Sequence, residues 1–289
     1  MTPATHSDRA TRRDPSTHRD QSTFSDPGPA TGLHTFRRGA GPPLVLAHGF
    51  TQTGRVWGGL DDELARDHSL VQVDLPGHGR SALVTVDLWA GAALLGAAGG
   101  VGDYLGYSMG ARFALHLALE RPDVVRRLVL VSGTAGLDSE DERARRRAAD
   151  EALADRLQPL GGGPATDTVD EFVARWVTAP LFGVVPTAAQ GLEQRRTNTA
   201  AGLASSLRLA GTGTMTPLWD RVPELSLPVL VVTGARDEKF SALGRRLVDA
   251  IGGPVEHVTV PDADHAPHLQ RPDVVAGAVR AFLADPAPV

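Results

Sequence analysis

The sequence predicts an α/β protein with a mostly parallel, doubly wound sheet and a helical lid inserted into it. Short apolar runs alternate with helical stretches in residues 32–136 and again in residues 223–289, which is typical of a parallel sheet covered by helices. Between them, residues 137–222 contain helical stretches separated by Gly and Pro, but no apolar run resembling a strand. Residues 1–31 are polar and rich in Thr, Asp and Pro, and we expect them to form a disordered extension.

The order of the elements follows from these runs. Residues 43–47 read Pro-Leu-Val-Leu-Ala and are apolar on both faces, as expected for a central parallel strand. The sequence predicts strands at residues 33–36, 43–47, 69–73, 101–105, 127–131, 227–233 and 254–260. It predicts core helices at residues 60–65, 88–98, 111–120, 243–251 and 272–283. Ser139 precedes three acidic residues and is predicted to cap the first lid helix.

Composition excludes several classes of protein. The 289 residues, 42% of them hydrophobic, suffice for one large core with an insertion. A net charge of −5 offers no basic field for nucleic acid, and no apolar stretch is long enough to span a bilayer. The absence of cysteine excludes disulfides and a thiol nucleophile, and no secretory signal follows Arg12 and Arg13. We expect a cytoplasmic protein without cofactor or metal, and the oligomeric state is left open.

Residues 106–110, Gly-Tyr-Ser-Met-Gly, form the motif around which the chain is organised. They lie between an apolar run, which predicts a strand, and an alanine- and leucine-rich stretch, which predicts a helix. Between a strand and a helix, a Gly-x-Ser-x-Gly motif indicates a nucleophilic serine on a tight turn. A serine on so tight a turn usually has a positive φ, and the flanking glycines remove side chains that would clash. The alternative is a chance match in a chain with 32 glycines.

Three side chains that could form a catalytic triad each follow a predicted strand: Ser108, Asp237 and His265. Sites in open α/β sheets lie at the carboxyl ends of strands, and the chain order Ser, Asp, His is that of α/β hydrolases. His265 would accept the Ser108 proton, and Asp237 would fix the tautomer of the imidazole. The backbone amides of Phe50 and Met109 are predicted to hold a developing oxyanion.

Several other Asp and His residues lie close to predicted strand ends and are alternatives to members of this triad. Asp74 and His78 are predicted to shape their Pro- and Gly-rich loop, because Asp74 precedes the serine in the chain. His268 competes with His265 but does not lie at the strand end, and it is predicted to be a pocket or structural residue. A metal site would use Asp262, Asp264, His265 and His268, without a supporting cluster elsewhere.

These motifs resemble the α/β-hydrolase superfamily over about residues 32–285, apart from the lid. Within it, the sequence is similar to the family of 2-succinyl-6-hydroxy-2,4-cyclohexadiene-1-carboxylate (SHCHC) synthases of menaquinone biosynthesis. The core motifs that carry this resemblance are residues 48–50, 74–79, 106–112 and 237–240. The lid motifs are residues 142–147, Trp176 with residues 180–182, and residues 195–198.

The resemblance implies a lyase in which the histidine-activated serine removes a proton and pyruvate is eliminated from a small polyanionic substrate. It also implies that substrate is bound by Tyr107, Arg112, Arg146, Trp176 and Arg196. Guanidinium groups suit such a substrate because they bind carboxylates bidentately. The alternative is that each arginine lies on a solvated face of the lid or of a helix and does not bind substrate.

Two questions stay open at the level of sequence. Asp264 stands where the superfamily usually has glycine before the histidine, and it could raise the pKa of His265 or face solvent. The same triad also supports a carboxylic-ester or C–C hydrolase, and a non-enzymatic binding protein is a third hypothesis, against which the intact triad argues. Arginines converging over Ser108 would favour a polyanionic substrate, whereas an apolar cleft would favour esters.

Overall fold

The computed structural model describes Met1 and residues 32–284. Apart from Met1, the predicted disordered extension lies outside the described residues, as do residues 285–289. No helix between residues 32 and 284 is both long and apolar enough to cross a membrane.

Within this described part, seven strands form one sheet with the order β1-β3-β2-β4-β5-β6-β7. Strand β1 is antiparallel to β3, and every other neighbouring pair is parallel. The predicted fold class is therefore confirmed. The strands are β1 (Thr35–Arg38), β2 (Pro43–Ala47), β3 (Ser69–Val73), β4 (Gly102–Tyr107), β5 (Val125–Val131), β6 (Val229–Gly234) and β7 (Val255–Val260).

Helices lie on both faces of the sheet, which is why its central strands are apolar throughout. Alternate residues of β2 point to opposite faces: Val45 belongs to one buried cluster, and Leu44 and Leu46 belong to another. Residues of α2 and α3 pack on the first face, and residues of α1 and α10 pack on the second. The helices are α1 (Leu60–Leu64), α2 (Leu88–Gly99), α3 (Met109–Glu120), α4 (Glu140–Leu157), α5 (Val169–Val177), α6 (Leu192–Arg195), α7 (Ala200–Ala210), α8 (Glu238–Ala250), α9 (Pro267–Gln270) and α10 (Pro272–Ala284).

Helices α4 to α7 all lie between β5 and β6 in the chain. Ser139 caps α4 by accepting a hydrogen bond from the Glu142 amide at 3.5 Å, as predicted. Thr168 and Glu171 form a reciprocal capping box at the start of α5. Apolar side chains of α4, α5 and α7 share a small buried cluster, so this segment has a core of its own: Ala154, Leu157, Phe172, Leu203, Ala204 and Leu207.

The structure extends several predicted elements. Strand β4 continues to Tyr107, and α3 begins at Met109, so Ser108 alone forms the turn between them. The short helix α9 was not predicted from the sequence, because Pro267 and Pro272 bracket only one helical turn. The carboxyl ends of β2, β4, β6 and β7 then lie along one edge of the sheet.

Candidate active site

Ser108 occupies a strained turn at the end of β4. Its φ of 51° and ψ of −103° lie outside the regions that side-chain-bearing residues favour. The turn packs so closely that a Cβ on Gly106 would collide with the carbonyl oxygen of Gly110. A Cβ on Gly110 would collide with the carbonyl oxygen of Ala47 at the end of β2. Glycine on both sides of the serine is therefore a steric requirement, and the hydroxyl is held above the sheet edge.

The structure brings Ser108, His265 and Asp237 together in a hydrogen-bonded chain. Ser108 Oγ lies 3.0 Å from His265 Nε2, and His265 Nδ1 lies 2.8 Å from Asp237 Oδ2. His265 and Asp237 are buried, and the second carboxylate oxygen of Asp237 accepts a hydrogen bond from the Phe240 amide at 3.1 Å. Because an ionised carboxylate only accepts hydrogen bonds, the proton lies on Nδ1 and the lone pair of Nε2 faces the serine.

The backbone amides of Phe50 and Met109, two residues that line the same cavity as Ser108, have no hydrogen-bond partner among residues 32–284. The Met109 amide is the first of α3, where the partial positive charge of a helix N-terminus is concentrated. The neighbours of Phe50 are bound instead, since the Gly49 amide donates to Gln52 Oε1 at 2.7 Å and the Thr51 amide to His78 Nε2 at 3.3 Å. Both amides are therefore available to a ligand, and their role as an oxyanion hole stays a prediction.

Asp74 and His78 shape loops, as the sequence predicted. The Asp74 carboxylate accepts hydrogen bonds from the amides of Gly54 at 2.7 Å and Arg80 at 2.8 Å. His78 donates from Nδ1 to the Pro76 carbonyl at 2.9 Å. Because its Nε2 accepts the Thr51 amide, His78 must be neutral, and burial lowers its pKa to about 4.

His268 is a structural residue. Its fully buried ring packs against Tyr107 and Trp57, with ring centroids 4.1 and 5.7 Å apart. Burial lowers its pKa to about 3. His265, and not His268, bonds to the serine hydroxyl. In the described residues, no group of three or more His, Asp or Glu side chains is arranged to hold a metal ion.

A cavity of about 150 Å³ opens directly over Ser108. Its lining includes Tyr107, Met109 and Arg112 from the core. The segment between β5 and β6 contributes Arg146, Trp176, Phe182, Arg195 and Leu207. Four cationic side chains reach the cavity: Arg112, Arg146, Arg195 and Lys239. Of the residues predicted to bind substrate, Tyr107, Arg112, Arg146 and Trp176 therefore lie at the cavity.

Two of these arginines, Arg112 and Arg195, are buried and form no ion pair in the part of the chain that the structure describes, although the nearby charge of Asp150 acts on Arg112. Arg112 is 7% exposed and donates to the Ala210 carbonyl at 2.5 Å. Arg195 is 5% exposed and donates to the Gln190 carbonyl at 2.7 Å and to Thr51 Oγ1 at 2.5 Å. Burial lowers the pKa of each guanidinium to about 10, so both stay charged at neutral pH. Arg146 differs, because it pairs with Asp150 at 2.9 Å.

Arg196 does not reach the cavity, which corrects the predicted substrate-binding set by one residue. Its side chain is 44% exposed and lies 3.6 Å from Asp170. Helix α6 ends at Arg195, and successive residues of a helix point about 100° apart, so only one of two adjacent arginines can face inward. The Arg-Arg pair was visible in the sequence, but its register depends on the packing of α6. Lys239, within the motif at residues 237–240, was also missed.

Asp264 is half-buried, and its carboxylate is hydrogen-bonded within its own loop. Its carboxylate accepts a hydrogen bond from Gln270 Nε2 at 2.9 Å, and its amide donates to Gln270 Oε1 at 2.7 Å. Gln270 Nε2 also donates to the carbonyls of Phe182 and Val184, each at 3.2 Å. A Cβ on Gly183 would collide with the Asp264 carboxylate. The acidic residue thus joins the histidine loop to the segment that carries Phe182.

The parallel sheet, the strained serine turn and the Ser-His-Asp chain define an α/β hydrolase. The family model described as alpha/beta hydrolase family matches residues 44–278, and the chain belongs to this family. It is an enzyme of lyase or hydrolase type.

Two relatives of named activity and one solved structure are similar to this chain over most of its length. A Bacillus subtilis (strain 168) protein with the provisional name 2-succinyl-6-hydroxy-2,4-cyclohexadiene-1-carboxylate synthase is 33% identical over 258 residues, covering 84% of this chain and 91% of that protein. The pimeloyl-acyl-carrier-protein methyl ester esterase of Stenotrophomonas maltophilia (strain K279a) is 32% identical over 263 residues, covering 89% and 98%. The structure of MenH from S. aureus superposes with a TM-score of 0.76 at 26% identity, covering 88% and 98%. The resemblance to SHCHC synthases is confirmed, and an esterase is similar to nearly the same degree.

Proposed function

We propose that this protein is a lyase of the SHCHC-synthase type, which eliminates pyruvate from a polycarboxylate cyclohexene precursor in menaquinone biosynthesis in the cytoplasm. One observation carries the proposal: Arg112 and Arg195 are buried at the cavity over Ser108, and neither forms an ion pair with a carboxylate in residues 32–284. The names of the Bacillus relative and of the S. aureus structure support it.

Charge explains why this observation points to an anionic substrate. A buried guanidinium that lacks an anion destabilises the empty protein, and a substrate carboxylate would offset that cost. Two such groups fit a substrate with at least two carboxylates, each bound by a planar fork of donors. Arg146 and Lys239 add positive charge at the same cavity, and Tyr107 and Trp176 flank it. In this proposal Arg195 takes the place predicted for Arg196.

The reaction follows from the hydrogen-bond chain. His265 Nε2 accepts the Ser108 proton, and Asp237 stabilises the imidazolium that forms. The serine alkoxide then removes a proton from a ring carbon of the substrate. The electrons of that C–H bond form a ring double bond, the carbon–oxygen bond to the leaving group breaks, and pyruvate departs as its enolate, which takes up a proton. The amides of Phe50 and Met109 stabilise negative charge on oxygen.

We further propose that residues 137–222 act as the lid of this site, inserted between core segments 32–136 and 223–289. Support comes from the cavity over Ser108, because residues of this segment, among them Arg146, Trp176 and Arg195, line it. The segment also has its own apolar cluster, which lets it hold a shape over the sheet edge.

The test is release of pyruvate from the pathway precursor by the purified protein. We expect release by the wild type, loss of release in Ser108→Ala, and a strong rise of KM in Arg195→Ala. Arg196→Ala is the matched control, since its side chain is exposed and paired with Asp170, and it should leave KM unchanged. Rapid turnover of esters without pyruvate release would rule out the lyase.

A carboxylic-ester hydrolase is the second candidate, favoured by the apolar part of the cavity and by the esterase relative. Phe50, Leu181 and Phe240 line the cavity beside the cations and could hold an acyl chain. Ser108 would then attack the ester carbonyl as a nucleophile. Hydrolysis of p-nitrophenyl esters of increasing chain length tests it, and a kcat/KM that exceeds the pyruvate-forming reaction would favour this candidate.

A further inference from the structure

Thr51 adopts a backbone conformation that needs explanation. It directly follows Phe50, is fully buried, and has a φ of 65°. A β-branched residue at positive φ is a clear outlier, because its side chain crowds the backbone. Such strain persists only where the surroundings over-determine the conformation, and it concentrates at functional sites.

The surroundings hold every polar atom of Thr51. Its amide donates to His78 Nε2 at 3.3 Å, its carbonyl accepts from Asn198 Nδ2 at 2.8 Å, and its hydroxyl accepts from Arg195 at 2.5 Å. Two of these three partners belong to the proposed lid. Asn198 also accepts the Gly79 amide at 2.7 Å, so its side chain joins the lid to two core loops.

The peptide plane that carries the Phe50 amide lies between Gly49 and Phe50. Its carbonyl end is held by His48 Nδ1 at 2.8 Å and by the Gln52 amide at 3.1 Å. Thr51 fixes the chain on the other side of Phe50. The direction of the free amide therefore depends on both ends, and the lid supplies part of the second.

We propose that Thr51 is a positioning residue that couples Arg195 and Asn198 of the lid to the oxyanion amide of Phe50. This inference rests on the proposed function of the Phe50 amide. Arg195 then has two roles: it faces the cavity as a site for a substrate carboxylate, and it holds the loop that carries the amide. A substrate anion that binds Arg195 acts on the same side chain that orients the oxyanion hole.

A neutral substrate separates the two roles, because p-nitrophenyl acetate has no carboxylate for Arg195 to bind. We expect Thr51→Val to lower kcat for this ester by about 10- to 100-fold, somewhat less than loss of a whole oxyanion donor, with little change in KM. Thr51→Ser keeps the hydroxyl and should retain most of the activity. Thr233→Val is the control, since Thr233 is equally buried and bonds to His257 at 3.0 Å, outside the cavity.

The contribution of the two lid residues, Arg195 and Asn198, is tested with the same ester. Arg195→Gln and Asn198→Asp should each lower kcat, and the Thr51→Val/Arg195→Gln double variant should lose no more than the worse single variant, because both remove one contact. If Thr51→Val fails to fold, the other two variants test the coupling. A lower kcat in Asn198→Asp, with most of the activity kept in Thr51→Ser, supports it, and a wild-type kcat in Asn198→Asp overturns it. Ester rates equal to wild type in folded Thr51→Val, or fully additive losses, would overturn the coupling.

Labelling of Ser108 by an organophosphonate separates this failure from failure of the proposed function. A wild-type serine that does not react would overturn both, because the site would then lack an activated nucleophile. A wild-type serine that reacts, with Thr51→Val reacting equally fast, overturns only the coupling. A reactive wild type with a roughly 10-fold slower Thr51→Val supports it.

Discussion

Replacing Arg112 by methionine should stabilise the protein while removing its affinity for a polycarboxylate. The guanidinium is 7% exposed, and burial lowers its pKa to about 10. That value lies roughly two to three pH units below a free guanidinium, and each unit corresponds to about 1.4 kcal/mol, so the charge destabilises the empty fold by about 3 kcal/mol. The lost hydrogen bond to Ala210 offsets about 1 kcal/mol of this. The free energy of unfolding should rise by about 2 kcal/mol.

The activity of Arg112→Met toward the polycarboxylate should fall, although its free energy of unfolding rises. A hydrogen bond to a charged group contributes about 1.5–3 kcal/mol, so kcat/KM for the polycarboxylate should fall by about 10- to 150-fold in Arg112→Met. The kcat/KM for p-nitrophenyl acetate should stay near the wild-type value. Urea unfolding followed by circular dichroism gives the stability, and pyruvate release and ester hydrolysis give the two activities.

Arg146→Met is the matched comparison. Its removal leaves Asp150, whose side chain is 3% exposed, without its ion-pair partner, and should lower the free energy of unfolding by about 1–3 kcal/mol. The two variants remove the same charge from the same cavity and should differ in the sign of their effect on stability. A destabilised Arg112→Met with unchanged turnover of the polycarboxylate would refute the reasoning.

Three further predictions concern the core of the site. Asp237→Asn should lower kcat by about 10⁴-fold, the loss known for this change in a serine-protease triad, because an amide stabilises the wrong tautomer of the histidine; a loss under 10-fold in ester hydrolysis would contradict the role of the acid. Gly110→Ala should prevent folding or greatly destabilise it, since its Cβ meets the Ala47 carbonyl; circular dichroism and soluble yield decide this. Stability should fall as pH drops from about 6.5 to 4, because the unfolded chain then binds protons that His78 and His268, with pKa values near 4 and 3, do not. Each contributes about 2–3 kcal/mol between pH 7 and 4.5, so urea titrations of His268→Leu should show a shallower pH dependence, and a slope unchanged from wild type would contradict it.

The core of this fold could be predicted because the sheet imposes its pattern on the sequence. Strands β2 and β3 have the predicted bounds, since apolar runs with two buried faces can lie only inside the sheet. Ser108, Asp237 and His265 were found for the same reason. Each follows a strand, and parallel strands end at one edge, so three distant residues are brought together by topology alone.

The segment proposed as a lid could not be predicted to the same depth, because no sheet fixes the register of its short helices. The choice between Arg195 and Arg196 depends on how a four-residue helix lies against Thr51, and that packing leaves no periodic signal in the sequence. Asn198 lies in the motif of residues 195–198, but its hydrogen bonds to the Thr51 carbonyl and the Gly79 amide depend on the same packing. The strain at Thr51 had no sequence signal either, since threonine is a residue that seldom takes a positive φ.

The difference between lyase and esterase lies in the arginines at the cavity, of which Arg112 was predicted from the sequence and Arg195 was not. The triad and the two free amides serve proton abstraction and acyl transfer equally well, so they cannot separate the two reactions. The buried positive charge at the cavity distinguishes the two reactions, because only a polycarboxylate substrate would form ion pairs with it. An enzyme for neutral esters gains nothing from the charge of Arg112 and would be more stable with an apolar side chain there, whereas an enzyme for a polycarboxylate recovers that cost when substrate binds. Stability measured with and without a polycarboxylate ligand therefore tests the function: the ligand should raise the free energy of unfolding of the wild type, and this gain should shrink in Arg112→Met.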